Sequence, residues 1–264
     1  MGITQANAIL EEFMDTLKHT GKNLLLLDYD GTLAPFTVNR QSAVPYPGVR
    51  TLLQQIIQAG KTRMIIVSGR PCAEIIELLD LNVSPEVWGA HGWQRLLPDG
   101  SRMRYRMHDA ERDAIGMAYR WVAALGYAHL SERKQSGVAV HWRGLPVEDI
   151  RDIRQSLSQQ KIPAICAQTM LLREFNGGME LQLKSRTKGT VIETLLSETE
   201  PQTPVAYLGD DRTDEDAFAA LEFRGLRIRV ANDSRESRAD VMLRPPEELL
   251  DFLLHWLLAC GGAK

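Results

Sequence analysis

Short apolar runs alternate with amphipathic segments along most of the chain, a pattern that predicts strands alternating with helices. Four consecutive leucines at residues 24–27 predict a strand buried on both faces, as in a parallel sheet. Further strands are predicted at residues 63–67, 86–92, 204–208, 226–230 and 240–243. Helices are predicted at residues 6–19, 49–59, 72–79 and 189–198, and from Pro246 onwards. This order favours a doubly wound α/β sheet.

The pattern changes in the middle of the chain, where the order helix, strand, strand occurs twice. The first set lies at residues 109–125, 128–133 and 136–142. The second has a helix from Pro146 to about residue 160 and two short strands that flank the turn at residues 176–178. This repetition predicts a small α+β unit at residues 104–178, inserted into a sheet domain made of residues 1–103 and 179–264. The insert has a net charge of +3 and the remainder −6. A basic insert above an acidic core would attract an anionic substrate. The alternative is that three net charges spread over such a surface have no functional effect.

Two carboxylates follow the leucine strand. Asp28 and Asp30 stand at its carboxyl end, where open α/β sheets bind their ligands. Gly31 allows the backbone to turn sharply there, and Thr32 adds a hydroxyl. Because carboxylates two residues apart repel each other, they need a cation or a shared proton, and Mg²⁺ is the simplest hard cation. A polar surface turn is the alternative, but the buried strand before it favours a chemical site.

A second acidic cluster follows the apolar strand at residues 204–208. Thr213 as a helix N-cap would explain the acids at residues 214–216. It would not explain Asp210 and Asp211, which stand at the strand end. The strand at residues 63–67 ends in a serine, Ser68. Three strands of one predicted sheet therefore end in polar side chains, which predicts one site at one edge of the sheet.

The stretch Asp28–Tyr29–Asp30–Gly31–Thr32 resembles the first motif of the haloacid-dehalogenase-like (HAD) phosphatases, and the match through Phe36 resembles their trehalose-6-phosphate phosphatase branch. The resemblance implies a Rossmann-like HAD core with a C2-type cap. It implies that Asp28 attacks phosphorus and that Asp30 is the general acid and then the base. Ser68 would bond the phosphoryl group, and Lys188 would offset negative charge. The implied Mg²⁺ ligands and supporting residues are Asp28, Asp30 through its carbonyl, Asp210, Asp211 and Asp214.

Two stretches of the insert resemble cap signatures of the same branch. Residues 132–143 match the form Glu-x-Lys…Ser…His-Tyr-Arg, with Trp142 in place of the tyrosine. Residues 180–182 match a second signature, whose glutamate contacts sugar hydroxyls. Of these residues, Ser136 and His141 have an alternative role, which is to support the fold of the insert. Outside the insert, His91 is a secondary candidate for substrate contact. The residues expected to contact the substrate are Asp28, Tyr29, Asp30, Ser68, Gly69, Arg70, His91, Lys134, Ser136, His141, Arg143 and Glu180.

Composition and charge bear on the binding partners and the cellular compartment that we expect. The net charge of −3 gives no reason to expect nucleic acid as a partner. Three scattered cysteines show neither disulfide nor zinc spacing and suit a reducing cytoplasm. The N-terminal residues lack the features of a signal peptide, and the apolar stretch at residues 249–260 is too short and too interrupted to span a membrane. We therefore expect a cytoplasmic protein, with a monomer as the simplest oligomeric state.

The combined expectation is a Mg²⁺-dependent phosphatase that converts the sugar phosphate trehalose 6-phosphate to trehalose and phosphate. One alternative is a related phosphatase acting on sucrose 6-phosphate or on a mannosylglycerate phosphate. Another is a non-catalytic domain of the same fold that binds a partner synthase. The repelling carboxylates argue against the second alternative, because a binding module has no need to keep them together.

Overall fold

The computed structural model describes residues 3–262, and the first two and last two residues lie outside that range. The chain divides into two compact units. The sheet unit comprises Met1–Met103 and Lys188–Lys264, and the inserted unit comprises Arg104–Thr187. Among the described residues, no helix combines the length and the apolarity needed to cross a membrane.

The secondary structure follows the predicted order closely. The strands are β1 (Asn23–Leu27), β2 (Thr62–Val67), β3 (Glu86–Gly89), β4 (Gln94–Leu96), β5 (Arg102–Arg104), β6 (Ser131–Arg133), β7 (Gly137–His141), β8 (Met170–Phe175), β9 (Gly178–Leu183), β10 (Val205–Gly209), β11 (Leu226–Val230) and β12 (Val241–Leu243). The α-helices are α1 (Ile3–Lys18), α2 (Val49–Gln58), α3 (Cys72–Leu79), α4 (Asp109–Ala124), α5 (Val147–Gln159), α6 (Ala164–Thr169), α7 (Lys188–Ser197), α8 (Asp214–Ala220) and α9 (Glu247–Ala259).

The sheet of the first unit places β1 near its centre. Within residues 3–262 its strand order is β12-β11-β10-β1-β2-β3-β4-β5. The strands from β12 to β3 are parallel, and β4 runs antiparallel to β3. The chain builds outwards from β1 in both directions, first through β2 and β3 and later through β10, β11 and β12. The strand order therefore reverses between β1 and β10, the position at which open α/β sheets bind ligands.

The leucine strand is buried on both faces, which confirms the prediction. Leu25 and Leu27 belong to a core cluster that also holds side chains of α2 and α9. Leu24 and Leu26 point to the opposite face, because successive side chains of a strand alternate. On that face the ring of Tyr207 in β10 packs edge to face on Phe218 of α8. Helices on both faces explain why β1 carries a continuous apolar run.

The inserted unit contains an antiparallel sheet of order β6-β7-β9-β8, against which α4 packs. Its end differs from the predicted one, because the unit extends to Thr187 and not to residue 178. The reason is β9, which pairs with both β7 and β8 and so cannot belong to the other sheet. The sequence-based boundary lay at the glycine turn before β9, a turn that joins two strands of one sheet.

Two smaller features also differ from prediction. Helix α6 was not predicted, since its six residues are too few to show a periodic apolar face. The strand predicted at residues 86–92 ends at Gly89, and residues 90–92 form a 3₁₀ turn. Ala90, His91 and Gly92 all have positive φ angles there, which no strand can accommodate.

An ionic cluster ties the β2–β3–β4 side of the sheet to the residue that follows α7. Glu86 is buried and accepts hydrogen bonds from Arg63, from Arg95 at 2.8 Å and from Trp88 Nε1 at 2.9 Å. Glu198 accepts two bonds from Arg95, each of 2.7 Å, and one from Arg63 at 2.9 Å. Each carboxylate is shared by two guanidinium groups, which offset the cost of burying Glu86.

We expect Glu86→Ala to lower the free energy of unfolding by about 3 kcal/mol, because Arg63, Arg95 and Trp88 Nε1 each lose a buried acceptor. The matched control is Glu200→Ala, which removes an exposed carboxylate 4.0 Å from Lys22 and should change stability by about 0.5 kcal/mol or less. Urea unfolding of both variants checks this prediction. Equal losses in the two variants would show that the cluster adds nothing beyond a surface pair.

Candidate active site

The carboxyl ends of β1 and β10 meet at the strand-order reversal. Leu27 pairs with Leu208, and the amide of Asp28 donates to the Leu208 carbonyl at 2.8 Å. Asp210 follows the last residue of β10. Two acidic side chains that are far apart in sequence are thus neighbours, because parallel pairing brings the ends of both strands to one edge.

Among the described residues, the carboxylates of Asp28, Asp210 and Asp214 converge and form what we call the acid cluster. One oxygen from each lies within 4.8 Å of the others. Lys188, the first residue of α7, places its Nζ 2.7 Å from Asp28 Oδ1 and 2.7 Å from Asp214 Oδ1. Tyr207 also donates its hydroxyl to Asp214. Three carboxylates therefore share the positive charge of Lys188.

The electrostatics of the acid cluster show a shortage of positive charge. Burial, together with repulsion from Asp214, raises the pKa of Asp28 to about 7 despite the attraction of Lys188. Burial and the charges of Asp28 and Asp214 raise the pKa of Asp210 well above its usual value. Burial alone would lower the pKa of Lys188, but the attraction of Asp214 and Asp28 outweighs it and the pKa is raised. The cluster is therefore suited to take up a further cation or a proton.

The donor set fits a hard divalent cation. Asp210 Oδ1 is buried and has no hydrogen-bond partner within residues 3–262, so it is available as a ligand. Carboxylate oxygens are the ligands that such ions prefer. Gly31 makes room for this arrangement, because a Cβ atom at that position would lie 2.2 Å from Asp210 Oδ2. Its φ of +83° is also one that other residues avoid.

Asp30 lies outside the acid cluster. Arg70, which is buried, donates from Nε to Asp30 Oδ2 at 2.7 Å and from Nη2 to Asp30 Oδ1 at 2.6 Å. This bidentate pair fixes the position and orientation of the Asp30 carboxylate. Arg70 was predicted to contact substrate, but in the structure its guanidinium holds the predicted general acid.

The remaining predicted residues of the sheet unit have varied surroundings. Ser68 is buried at the end of β2, and its Oγ accepts from the amide of Arg70 at 3.1 Å. Gly69 lies against His91, whose Nε2 would be 2.6 Å from a Cβ atom there. The side chain of Tyr29 is buried in the core and donates its hydroxyl to the Ala43 carbonyl at 2.7 Å, so its hydroxyl is already paired within the core.

Asp211 contributes through its backbone. Its amide donates to Asp214 Oδ2 at 3.0 Å, while its carboxylate accepts from the amide of Arg212. Tyr207, which holds the other oxygen of Asp214, was not predicted as a site residue. The sequence did contain a signal for Tyr207, because it is a hydroxyl-bearing residue in an otherwise apolar strand that is followed by acidic residues.

In the inserted unit, one face of the sheet carries polar groups. Glu132, Ala139, Glu180 and Arg173 lie in one row across β6, β7, β9 and β8, so their side chains share a face. Glu180 is buried and accepts from Lys134 Nζ at 2.9 Å.

The other predicted residues of the insert fall into separate groups. Ser136 also donates to Glu180, at 3.4 Å. His141 Nε2 lies 2.9 Å from Glu132 Oε2, a partner that was not predicted as a site residue. Arg143 donates to the carbonyl of Asn176 at the β8–β9 turn. The structure therefore gathers Lys134, Ser136 and Glu180 and places Arg143 at the turn.

Comparison with known proteins gives a consistent result. Residues 26–244 match the sequence model of a family described as Trehalose-phosphatase. A trehalose-phosphate phosphatase of Mycobacterium marinum is 29% identical over 235 residues, which cover 83% of this chain and 56% of that protein. The chain thus spans little more than half the length of the mycobacterial relatives it matches.

Solved structures show the same fold. The C-terminal domain of a trehalose-6-phosphate phosphatase from Candida albicans superposes with a TM-score of 0.77 at 18% identity, covering 96% of this chain and 97% of that one. The C-terminal domain of a trehalose synthase regulatory protein from Candida albicans gives 0.68 at 13% identity, covering 92% and 97%. The predicted fold class, a doubly wound HAD-type core with an inserted α+β unit, is confirmed.

Removing one charge from the acid cluster should stabilise the chelator-treated protein. The raised pKa values of Asp28 and Asp210 mean that the folded state binds more protons than the unfolded state, so stability falls as pH rises from about 4 towards 7. We expect Asp210→Asn to relieve that loss by about 1 kcal/mol at pH 8, or about 2–4 °C in Tm, and by less at pH 5.

Thermal unfolding with EDTA at both pH values measures this difference. Asp251→Asn, at an exposed position of α9, is the control and should leave Tm unchanged. A lower Tm for Asp210→Asn than for wild type at pH 8 would mean that the cluster charges are already balanced.

Proposed function

Because the chain belongs to the trehalose-phosphatase family, we propose that it is a phosphatase that hydrolyses trehalose 6-phosphate to trehalose and phosphate. The observation that supports this most directly is the buried acid cluster with Lys188, at the strand-order reversal of the sheet. Phosphoryl transfer depends mainly on positioning and charge neutralisation, and this site provides fixed groups of both signs.

Asp28 is proposed as the nucleophile. Its carboxylate attacks phosphorus, an O–P bond forms to Asp28, and the bond from phosphorus to the sugar oxygen breaks. The sugar oxygen takes a proton from Asp30, and Asp30 later accepts one from the water that hydrolyses the aspartyl-phosphate. Lys188, 2.7 Å from Asp28, orients the nucleophile. Asp30 must release at least one of its bonds to Arg70 before it can carry that proton.

The proposed cofactor is Mg²⁺. The carboxylates of Asp28 and Asp210 and the carbonyl of Asp30 would hold it, while Asp214 and Asp211 orient the site. When bound, Mg²⁺ supplies positive charge that offsets the charge of the phosphoryl oxygens. The buried oxygen of Asp210 that lacks a partner among the described residues supports this assignment.

The inserted unit is proposed to act as the cap and to recognise the sugar. Lys134, Ser136 and Glu180 present charged and hydroxyl groups together, and such groups form the hydrogen bonds that a polyhydroxylated ligand needs. His141 and Arg143 are proposed to add contacts from β7 and the loop after it.

The cellular setting remains a prediction. All three cysteines lie within the described range, are buried and are free thiols, which supports a reducing cytoplasm. The net charge of −3 supports the proposal that the protein does not bind nucleic acid. A monomer is proposed only as the simplest oligomeric state.

Two alternatives compete with this proposal. A related sugar phosphatase would use the same sheet unit with different contacts in the insert. A non-catalytic domain is favoured by one observation, the likeness to the C-terminal domain of a trehalose synthase regulatory protein. Against it, Asp28, Asp30, Lys188 and Asp210 are all present here and form ion pairs or a convergent carboxylate set.

Substrate identity is tested by phosphate release with Mg²⁺ from trehalose 6-phosphate, sucrose 6-phosphate, a mannosylglycerate phosphate and glucose 6-phosphate. We expect trehalose 6-phosphate to react fastest and glucose 6-phosphate poorly, because contacts to the second ring provide binding energy. Asp28→Asn and EDTA should each abolish release. Preference for another compound would change the substrate only, and no release from any of them would favour the regulatory alternative.

The role of the insert is tested with Lys134→Ala and Glu180→Ala. Each should lower kcat/KM for trehalose 6-phosphate by about tenfold or more and leave p-nitrophenyl phosphate nearly unaffected, since the aryl group has no sugar hydroxyls. Lys161→Ala, an exposed lysine of the same unit, is the control. Equal losses on both substrates would assign these residues a purely structural role.

A further inference from the structure

The segment at residues 231–240, which follows β11, is fixed beside the acid cluster by two arginines. Arg229 of β11 is buried and donates to the carbonyl of Asp233 at 3.1 Å, to its carboxylate, and to the carbonyl of Arg235 at 3.3 Å. Asp233 in turn accepts from the amide of Arg235 at 3.1 Å. These contacts fix the backbone amide and carbonyl of Arg235, and thereby the position of the Cα atom that carries its side chain.

The guanidinium of Arg235 bridges two parts of the chain that carry the acid cluster. Nη2 donates to the backbone carbonyl of Asp210 at 3.0 Å, where the chain leaves β10. Nη1 donates to Glu215 Oε1 at 2.8 Å. Glu215 lies directly after Asp214 in the first turn of α8, and its other oxygen accepts from the amide of Arg238 at 2.9 Å.

This bridge opposes the repulsion within the acid cluster. Asp210 and Asp214 belong to different segments, and their like charges push the end of β10 and the start of α8 apart. Arg235 joins those two segments through one planar group. Arg229 adds a weaker contact, with its Nε 3.5 Å from the same Asp210 carbonyl.

We propose that Arg235 is a positioning residue for a divalent-cation site, holding Asp210 and Asp214 at ligand spacing before the ion binds. The inference rests on the proposed function, because it takes the acid cluster as the Mg²⁺ site. Within residues 3–262 the Arg235 guanidinium donates to the Glu215 carboxylate and to the carbonyls of Asp210 and Glu236, and not to a carboxylate of the acid cluster. When the ligands already lie at the right spacing, binding of the ion does not have to bring them together against their mutual repulsion. Loss of Arg235 therefore weakens binding of the ion.

The side-chain geometry requires arginine here. Nη2 faces the Asp210 carbonyl, while Nη1 faces the Glu215 carboxylate and, at 3.2 Å, the Glu236 carbonyl. A lysine has a single ammonium at the end of a flexible chain and can serve one acceptor well but does not bridge both rigidly. Arg235→Lys should therefore fall between wild type and a variant that has no donor.

The experiment measures Mn²⁺ binding directly, from the electron paramagnetic resonance signal of free Mn²⁺, in the chelator-stripped and dialysed protein. We expect Arg235→Met to raise the Kd about tenfold and Arg235→Lys to raise it less. Arg238→Met is the matched control. It removes an exposed arginine of the same segment, whose backbone amide rather than its side chain contacts Glu215, and it should bind Mn²⁺ as wild type does.

A second readout separates positioning from general damage. Phosphate release from trehalose 6-phosphate should need about tenfold more Mg²⁺ in Arg235→Met, while kcat at saturating Mg²⁺ returns close to that of wild type. If Arg235→Met does not fold, Glu215→Gln weakens the same bridge from its other end and should raise the Kd in the same direction. Where both variants fold, the Kd of the double variant for Mn²⁺ should be close to that of the weaker-binding single variant, because both substitutions break the same bridge.

The outcomes separate this inference from the proposed function. Wild-type Mn²⁺ affinity in folded Arg235→Met, or an equal loss in Arg238→Met, overturns the role of Arg235. A wild-type protein that binds Mn²⁺, loses affinity in Arg235→Met and yet releases no phosphate supports the positioning role and overturns the phosphatase proposal. A wild-type protein that binds no Mn²⁺ overturns the cation site and this inference together.

Discussion

Burial of three carboxylates around the ammonium group of Lys188 is the constraint on which the rest of the sheet unit depends. Asp28 and Asp214 each lie 2.7 Å from Lys188 Nζ, and Asp210 adds a third acid. Such a group is expensive to bury, and the ion pairs of Asp28 and Asp214 with Lys188 offset part of that cost. Asp214 is held by Lys188, by the Tyr207 hydroxyl and by the amide of Asp211.

The architecture places these charges at the edge of a buried apolar core. Helices cover both faces of β1, so its leucines provide burial while the acids stand just beyond the strand end. Gly31 gives Asp210 the space it occupies, and Arg235 connects the two segments that carry Asp210 and Asp214. The same packing that stabilises the sheet therefore prevents the acid cluster from relaxing by separation.

Different groups of residues provide the proposed chemistry and the proposed recognition of the sugar. Arg70 holds Asp30 away from the acid cluster by two short bonds, so the proposed proton carrier and the proposed nucleophile have different partners. In the inserted unit, Glu180 gathers Lys134 and Ser136 on one sheet face. These groups are suited to sugar hydroxyls, whereas the acid cluster is suited to a cation and a phosphoryl group.

The sequence by itself determined the leucine strand, the alternation of strands and helices, and the presence of acids beyond β1 and β10. These features follow from local hydrophobic patterns, and parallel pairing then brings strand ends to one edge. Tertiary structure alone decided which charges pair. No periodicity connects the members of these ion pairs, which are Arg70 with Asp30, Lys188 with Asp28 and Asp214, and Arg235 with Glu215. It also decided that β9 belongs to the insert, because strand pairing is a contact between distant segments whose partners local sequence does not specify.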